Sequence, residues 1–282
     1  MKSPRPTVVF QTLFLIIANL APVGCGSLAA YSVRRPLDCH IVFQPSPFPQ
    51  GNWNPKGLHF EDAHFTAADG TSLHGWFVES KDPKAVVLYA HGNAGNITSR
   101  HSVLRMFQER LNCSILIFDY RGYGKSKGEP TEEGVLADTR SARAWLAKRT
   151  NTKERDIVLV GASLGGGVMV DLAANDGARG LVLENTFTSL PDVASKHFWY
   201  LPTHSIMSTR LNSLAEISNY KGPLLQTHGD ADDIVPYELG KKLFDAANEP
   251  KQFVKIPGGN HNDHPTPTYI AALETWLTNL PK

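Results

Sequence analysis

Hydrophobic and polar positions follow two alternating patterns along most of the chain. Short runs rich in β-branched residues are separated by longer stretches in which apolar residues recur at helical spacing. The runs lie at residues 85–90, 114–119, 156–160, 181–184, 224–228 and 253–256. This rhythm is typical of buried parallel strands covered by helices on both faces. We therefore predict an α/β fold with a mostly parallel central sheet flanked by helices.

A β-hairpin is predicted at the start of this domain. Residues 60–66 and 73–78 have the character of strands, and they flank the turn-forming sequence Ala67-Ala68-Asp69-Gly70. We expect the fold to begin near Leu58 and to continue to residue 282. Residues 131–146 are predicted to form an amphipathic helix.

The regular pattern is interrupted between Phe187 and Ile217. This segment is too long for a plain connection, and it contains two prolines and the aromatic cluster Phe198-Trp199-Tyr200. We predict a small cap insertion at about residues 187–217. Its aromatic side chains cover a pocket for an apolar group, pack the cap onto the core, or do both.

Residues 1–25 differ from the rest of the chain. Lys2 and Arg5 precede an apolar run from Val8 to Leu20, which is typical of an export signal and shorter than the roughly 20 residues of a membrane span. Gly24-Cys25 resembles a bacterial lipoprotein processing site, although Pro22 stands where that pattern usually has leucine. We predict a signal peptide or a membrane or lipoprotein anchor, with Cys25 as a candidate lipidation site. The folded domain would then lie outside the cytoplasm, joined by an extended linker at residues 26–57.

Composition narrows the class of protein further. The chain has 282 residues, 41% hydrophobic and 20% charged, which suits one sizeable domain. A formal net charge of +1 and scattered basic residues exclude a nucleic-acid partner. Cys39 and Cys113 are too few for a disulfide framework. Cys113 is expected to be a buried thiol, and a pair with Cys39 stays open.

The main chemical signal is the sequence Gly161-Ala162-Ser163-Leu164-Gly165. It lies between a β-branched run and a stretch of small residues, which is the strand-to-helix setting of a nucleophile elbow. The glycines are needed because a Cβ on either side of the serine would collide with neighbouring backbone. The helix N-terminus directs free N–H groups at an oxyanion formed beside Ser163. The pattern predicts a serine nucleophile for acyl transfer.

A serine nucleophile requires a histidine base and an acid, which follow it in the order acid, histidine in this architecture. A predicted strand runs into a loop holding three acids, and we prefer Asp232 over Asp233 and Asp230. The next strand is followed by a glycine-rich loop that contains His261. His261 is therefore the predicted base, with His264 as the alternative.

The oxyanion requires two backbone N–H donors. One is predicted to come from Leu164, directly after the nucleophile, and the other from the loop after the first parallel strand. That loop is His91-Gly92-Asn93-Ala94-Gly95-Asn96, in which small residues allow the backbone to approach a substrate. We assign the second donor to the N–H of Asn93, with a plain glycine turn as the alternative.

These motifs together resemble the α/β-hydrolase superfamily, and within it the branch of abhydrolase domain-containing protein thirteen and its bacterial relatives. The resemblance extends from about residue 58 to 280. Its segments are residues 89–96, 118–126, 161–166, 184–187, 228–236 and 259–263. It implies the α/β-hydrolase fold, with Asp232 as the acid and His261 as the base. The branch is also similar to membrane-linked serine hydrolases, some acting on protein thioesters, which fits an anchored amino terminus without fixing the substrate. The expected partners are a small-molecule or acyl-protein substrate and, through the amino terminus, a membrane surface.

Two other kinds of site are disfavoured. Gly124-Lys125-Ser126 resembles part of a phosphate-binding loop, but Asp119 stands where that motif requires glycine. We expect Arg121, in the same loop, to hold neighbouring backbone instead of substrate. A metal could in principle use the acids and histidines of the two predicted catalytic loops, but triad spacing explains them better. The candidates for that metal site are Asp230, Asp232, Asp233, His261, Asp263 and His264. We expect neither a cofactor nor a metal.

The sequence thus predicts a serine hydrolase acting on esters, thioesters or amides. Ser163 attacks the acyl carbon, His261 accepts its proton, and Asp232 orients the imidazole. The alternative is a non-catalytic, membrane-anchored binding or scaffold protein of the same fold. The oligomeric state is not predicted.

Overall fold

A computed structural model of the chain describes residues 38–263 and 265–281. Its strands are β1 (Gln44–Pro45), β2 (Glu61–Thr66), β3 (Ser72–Val78), β4 (Ala85–Ala90), β5 (Ala94–Gly95), β6 (Cys113–Asp119), β7 (Val158–Ala162), β8 (Gly180–Glu184), β9 (Leu224–Gly229) and β10 (Lys251–Ile256). Its α-helices are α1 (Cys39–Val42), α2 (His101–Arg105), α3 (Glu132–Thr150), α4 (Leu164–Asp176), α5 (Leu190–His197), α6 (Thr203–Ile206), α7 (Ser213–Glu216), α8 (Tyr237–Ala246) and α9 (Pro267–Thr278). Short 3₁₀ and π turns lie at Ile97–Arg100, Met106–Arg110, Glu154–Asp156 and Ile217–Asn219.

Within the described residues, eight strands form the central sheet in the order β10-β9-β8-β7-β4-β6-β3-β2. The pairs β2–β3 and β3–β6 are antiparallel, and the remaining neighbours are parallel. The predicted α/β architecture with a mostly parallel sheet is therefore confirmed. Since β7 to β10 all run in the same direction, their carboxyl ends meet at one edge of the sheet, where the candidate site lies.

The sheet separates two hydrophobic clusters. Alternate residues of β4 point to opposite faces, so Leu88 and Ala90 join one cluster while Val87 and Tyr89 join the other. Helices α3, α4 and α8 cover the first face, and α2 and α9 cover the second. Every residue of β4 is buried. This explains why the strands appear in the sequence as continuous hydrophobic runs.

The predicted hairpin and helix are both present. Strands β2 and β3 pair in antiparallel register, and Ala67 and Thr71 close the turn through a 2.9 Å backbone hydrogen bond. Helix α3 extends to Thr150, beyond the predicted end. The side chain of Thr131 caps its first turn by accepting a hydrogen bond from the Gly134 N–H.

The linker predicted for residues 26–57 requires a correction in its described part. Residues 44–45 pair with β5, and Phe43 is only 2% exposed in the first cluster. The side-chain amide of Asn96 also donates hydrogen bonds to backbone carbonyls of this segment, including a 2.8 Å bond to Ser46. Residues 38–57 thus pack on the domain. A two-residue strand that pairs with a loop produces no alternation of apolar and polar positions, and this segment is rich in proline. The sequence therefore could not reveal that the segment packs on the domain.

The insertion at residues 187–217 contains α5, α6 and α7. Phe187 and Leu211 are buried and fix it to the core, but Trp199 is 83% exposed and Tyr200 is 53% exposed. These two aromatic side chains therefore do not pack the cap onto the core. They lie beside each other at its surface, with ring centroids 5.8 Å apart.

Two sequence-based predictions concern cysteines and membrane association. Cys113 is buried and is not bonded to Cys39, which confirms a buried thiol at Cys113. None of the helices within residues 38–263 and 265–281 has the length and apolar character needed to cross a bilayer. The signal or anchor predicted at residues 1–25, with Cys25, lies outside the described residues.

Candidate active site

Ser163 occupies the turn between β7 and α4 in a strained backbone conformation. Its φ is +52° and its ψ is −117°, a region that residues other than glycine rarely adopt. The turn is held by hydrogen bonds to β8 and the residues after it. The Ser163 N–H donates to the carbonyl of Glu184 at 2.8 Å, and the Thr186 hydroxyl donates to the carbonyl of Ser163 at 2.9 Å. The hydroxyl of Ser163 is thereby presented at the sheet edge.

The glycines around Ser163 are required by contacts with backbone. A Cβ on Gly161 would lie 2.3 Å from the carbonyl oxygen of Gly165, and a Cβ on Gly165 would lie 2.1 Å from that of Ala90. Real Cβ atoms do not approach backbone oxygens so closely. The steric reason predicted from the sequence therefore holds at both positions.

Ser163, His261 and Asp232 form a continuous chain of hydrogen bonds. The Nε2 atom of His261 lies 3.0 Å from the hydroxyl oxygen of Ser163, and its Nδ1 atom lies 2.8 Å from Oδ2 of Asp232. The Asp232 side chain is fully buried, and that of His261 is 8% exposed. An ionised carboxylate can only accept hydrogen bonds, so the Nδ1–H donates to Asp232 and leaves the Nε2 lone pair facing the serine. This is the proton arrangement that a serine nucleophile needs.

Asp232 is held as a carboxylate by several donors. Its Oδ1 atom accepts hydrogen bonds from the N–H groups of Ile234 and Val235 at 2.9 and 2.8 Å. Burial acts to raise its pKa, but hydrogen bonds from His228 and His261 lower the pKa well below the usual value for aspartate. The group is therefore ionised at neutral pH.

His228 contributes to this environment and was not singled out from the sequence. Its Nε2 atom lies 2.9 Å from the carbonyl oxygen of Val235 and 3.3 Å from Oδ2 of Asp232. Because Val235 offers only an acceptor, Nε2 carries a proton that also faces the carboxylate. The sequence feature that could have identified His228 is a histidine at the end of a buried strand, four residues before the acid.

The alternative acids have other surroundings. Asp230 accepts a hydrogen bond from the Gly258 N–H and forms an ion pair of 3.0 Å with Lys255. Asp233 is exposed, and its N–H donates a 3.4 Å hydrogen bond to the side-chain oxygen of Asn260. Of the three candidate acids, Asp232 is the one that the structure places against His261. The alternative base, His264, lies outside the described residues.

Two asparagines fix the backbone of His261 from either side. The His261 N–H donates to the side-chain oxygen of Asn260 at 2.6 Å, and the side-chain amide of Asn185 donates to the His261 carbonyl at 3.0 Å. Asn185 also accepts a 3.1 Å hydrogen bond from the Gly229 N–H. Asn185 lies within the family resemblance at residues 184–187, but no role for it follows from the sequence. The sequence feature that could have identified it is an asparagine directly after the β8 strand. Asn185 adopts a φ of +46° at this position, a conformation that asparagine tolerates.

The predicted oxyanion donors lie in two segments that meet at Ser163. Leu164 is the first residue of α4, where helical geometry leaves the N–H without an intrahelical acceptor. In the opposite loop, a Cβ on Gly92 would lie 3.5 Å from the Cβ of Ser163. The adjacent Asn93 is fixed because its carbonyl accepts hydrogen bonds from Tyr123 and Gln44 at 2.6 and 3.0 Å.

A buried pair of titratable groups joins the start of that loop, at His91, to the end of β6, at Asp119. His91 and Asp119 are fully buried, with Nε2 and Oδ1 separated by 3.7 Å. Burial raises the pKa of Asp119 to about 8 and lowers the pKa of His91 to about 3, so both are neutral near pH 7. Asp119 also accepts a hydrogen bond from the Ile97 N–H at 3.0 Å. The carboxyl therefore supports the loop that carries Asn93.

Arg121 has a structural role, although its partners differ from the predicted ones. Its guanidinium group binds the carboxylates of Asp138 and Asp69 at 2.8 and 2.7 Å, where backbone contacts were expected. Asp138 also accepts a hydrogen bond from the Arg121 N–H. These contacts tie the loop after β6 to helix α3 and to the hairpin turn.

Comparisons with known proteins agree with this architecture. A family profile described as the alpha/beta hydrolase fold matches residues 85–204. The chain is 39% identical over 251 residues to an uncharacterized protein of Mycobacterium tuberculosis (strain ATCC 25618 / H37Rv), with 88% of each chain covered. It is 34% identical over 246 residues to alpha/beta hydrolase domain-containing protein WAV2 of Arabidopsis thaliana, which covers 79% of this chain and 78% of WAV2.

A solved structure shares the same fold. An esterase of Pyrococcus furiosus superposes with a TM-score of 0.71 and covers 85% of this chain and 98% of the esterase. The two sequences are 20% identical. At this level of identity the similarity concerns the fold.

Proposed function

Because the chain belongs to the α/β-hydrolase family, we propose that it is a serine hydrolase cleaving ester or thioester bonds, with amides as a further class. The observation that carries the proposal is the hydrogen-bonded chain Ser163–His261–Asp232 at the carboxyl edge of the sheet. The strained backbone at Ser163 supports it, because such strain is typical of functional sites.

In the proposed reaction, the hydroxyl oxygen of Ser163 attacks the acyl carbonyl carbon while its proton moves to Nε2 of His261. Asp232 keeps the imidazole in the required tautomer and stabilises the imidazolium. The N–H groups of Leu164 and Asn93 stabilise the oxyanion, at about 3 kcal/mol per donor. His261 then donates its proton to the departing alcohol or thiol, which leaves an acyl-enzyme on Ser163. Water, activated by the same histidine, releases the acid.

The test is hydrolysis of chromogenic acyl esters and thioesters of graded chain length. We expect turnover by the wild type and a loss of at least about 10³-fold in kcat/KM for Ser163→Ala. Ser205→Ala serves as the control, since Ser205 is an exposed serine of the cap. Equal turnover by wild type and Ser163→Ala would reject the mechanism. No turnover by folded wild type across the series would favour the alternative, a non-catalytic binding or scaffold protein.

We also propose that the amino terminus carries this domain to a membrane surface outside the cytoplasm. The support is the sequence of residues 1–25 with Cys25. Mass spectrometry of the mature amino terminus distinguishes a lipidated Cys25 from a simple cleaved signal. An intact Met1 in membrane fractions would reject cleavage.

A further inference from the structure

Three side chains with metal-binding chemistry lie together on the β2–β3 hairpin. Asp62 and His64 are two residues apart in β2, so their side chains point to the same face of the sheet. His74 of β3 is directly opposite His64 in the antiparallel register. One potential ligand atom from each residue lies within 4.8 Å of those of the other two. The cluster therefore depends on strand pairing and not on sequence spacing.

The contacts of His74 suit a ligand-binding position. This residue is 1% exposed, its Nε2 atom lies 2.5 Å from Oδ1 of Asp62, and its ring centroid is 5.1 Å from that of His64. Its Nδ1 atom is buried and has no hydrogen-bond partner among the described residues. Since Nε2 faces the Asp62 carboxylate, Nε2 is the nitrogen of His74 that can share one ion with Asp62, and Nδ1 stays outside that coordination.

A cation already interacts with this cluster. The Nζ atom of Lys125 lies 3.2 Å from Oδ1 of Asp62 and 4.9 Å from the ring centroid of Trp53. The Lys125 side chain is 31% exposed, so it can turn toward solvent. Asp62 can then offer the same oxygen to another cation. Lys125 is consequently expected to compete with a metal ion for this position.

We propose that Asp62, His64 and His74 bind one divalent transition-metal ion, with water completing the coordination. Two imidazoles and one carboxylate suit Zn²⁺, Ni²⁺ or Cu²⁺ better than Mg²⁺ or Ca²⁺, which prefer oxygen ligands. This departs from the expectation of no metal, because the sequence gives no sign that His64 and His74 face each other.

The proposed site lies far from the candidate triad in the sheet. Strands β4 and β6 separate the hairpin from β7, which leads to Ser163. The ion would therefore cross-link the edge hairpin and stabilise the fold without taking part in catalysis. Binding to the folded state alone raises the stability of that state.

The experiment is calorimetric titration of the chelator-treated full chain with ZnCl₂. We expect one ion with a micromolar Kd and a higher melting temperature with zinc. His64→Ala and Asp62→Asn should each weaken binding at least 10-fold, while His59→Ala, at an exposed histidine outside the cluster, should bind as wild type. Lys125→Met removes the competing cation and should strengthen binding several-fold.

Three outcomes would overturn the proposal. They are no zinc binding by the folded wild type, unchanged binding by His64→Ala, and no strengthening in Lys125→Met. Melting curves of the metal-free variants verify that each one folds. Labelling of Ser163 by a fluorophosphonate should be the same with and without zinc, because the site is separate from the triad.

Discussion

The side-chain amide of Asn185 donates a 3.0 Å hydrogen bond to the carbonyl oxygen of His261. The same side chain accepts a 3.1 Å bond from the N–H of Gly229, at the end of the strand that leads to Asp232. Asn185, the residue directly after β8, thus connects the loop that contains His261 to the end of the strand that leads to Asp232. Asn185 contacts neither Ser163 nor the imidazole ring through these bonds, so its expected role is positioning.

Replacing Asn185 tests this role. Asn185→Asp keeps the acceptor for Gly229 but loses the donor to His261, so we expect a 10- to 100-fold lower kcat with little change in KM. Misplacement of a catalytic group by about 1 Å can lower the rate by about 100-fold. Asn248→Asp is the matched control, because that side chain donates to the carbonyls of Ser218 and Tyr220 away from the site. Equal kcat losses in both variants would indicate a purely structural role.

The acid can be identified among its neighbours by steady-state kinetics. Asp232→Asn should lower kcat by about 10³- to 10⁴-fold, because the amide no longer holds the Nδ1–H tautomer of His261. Asp233→Asn and Asp230→Asn should retain kcat within about twofold. A larger loss for either control than for Asp232→Asn would overturn the assignment.

The tight turn at Ser163 predicts that a side chain at Gly165 strongly destabilises the fold. Gly165→Ala places a Cβ 2.1 Å from the carbonyl oxygen of Ala90, and both atoms belong to rigid elements. We expect a loss of about 3 kcal/mol or more in the free energy of unfolding, or failure to fold. Gly92→Ala is the comparison, since its nearest neighbouring atom would lie 3.5 Å away. Similar stability of the two variants in urea would contradict the geometry of the turn.

Asp119 predicts a pH dependence of stability. Burial raises its pKa from 3.8 to about 8, so between these values the folded chain keeps a proton that the unfolded chain has lost. The contribution of this group to stability therefore falls as pH rises from about 4 to about 8, by at most about 1.4 kcal/mol per pH unit, and then becomes constant.

Asp119→Asn isolates that contribution, because the amide resembles the protonated acid at every pH. The stability of the variant relative to wild type should increase between pH 5 and 8 and remain level up to pH 9. Urea unfolding of both proteins at these values measures the difference. A difference that is independent of pH would mean that the Asp119 carboxyl has an ordinary pKa in the folded state.

The sequence could predict the elements whose pattern is local. The buried strands, the hairpin turn and the helix beginning after Thr131 each carry their own periodicity or capping residue. The order of acid and histidine along the chain likewise follows from the order of adjacent parallel strands. These features depend on neighbouring residues, which is why they were accessible.

Other features depend on contacts between distant residues. The packing of Phe43 on the core and the hydrogen bond from Asn185 to the His261 carbonyl both join segments that are dozens of residues apart. The exposure of Trp199 was also hidden, because an aromatic cluster has the same sequence whether it packs inward or faces solvent. Long-range geometry decides all three, and it leaves no local pattern in the sequence.

The central claim is that Ser163 is the nucleophile activated by His261. The most direct measurement is mass-spectrometric mapping of the adduct that a fluorophosphonate forms with the folded wild type, beside Ser163→Ala and His261→Ala. We expect a single adduct on Ser163, none in Ser163→Ala, and labelling at least about 10³-fold slower in His261→Ala. An adduct on another residue, equal labelling of Ser163→Ala, or no labelling of wild type would contradict the account.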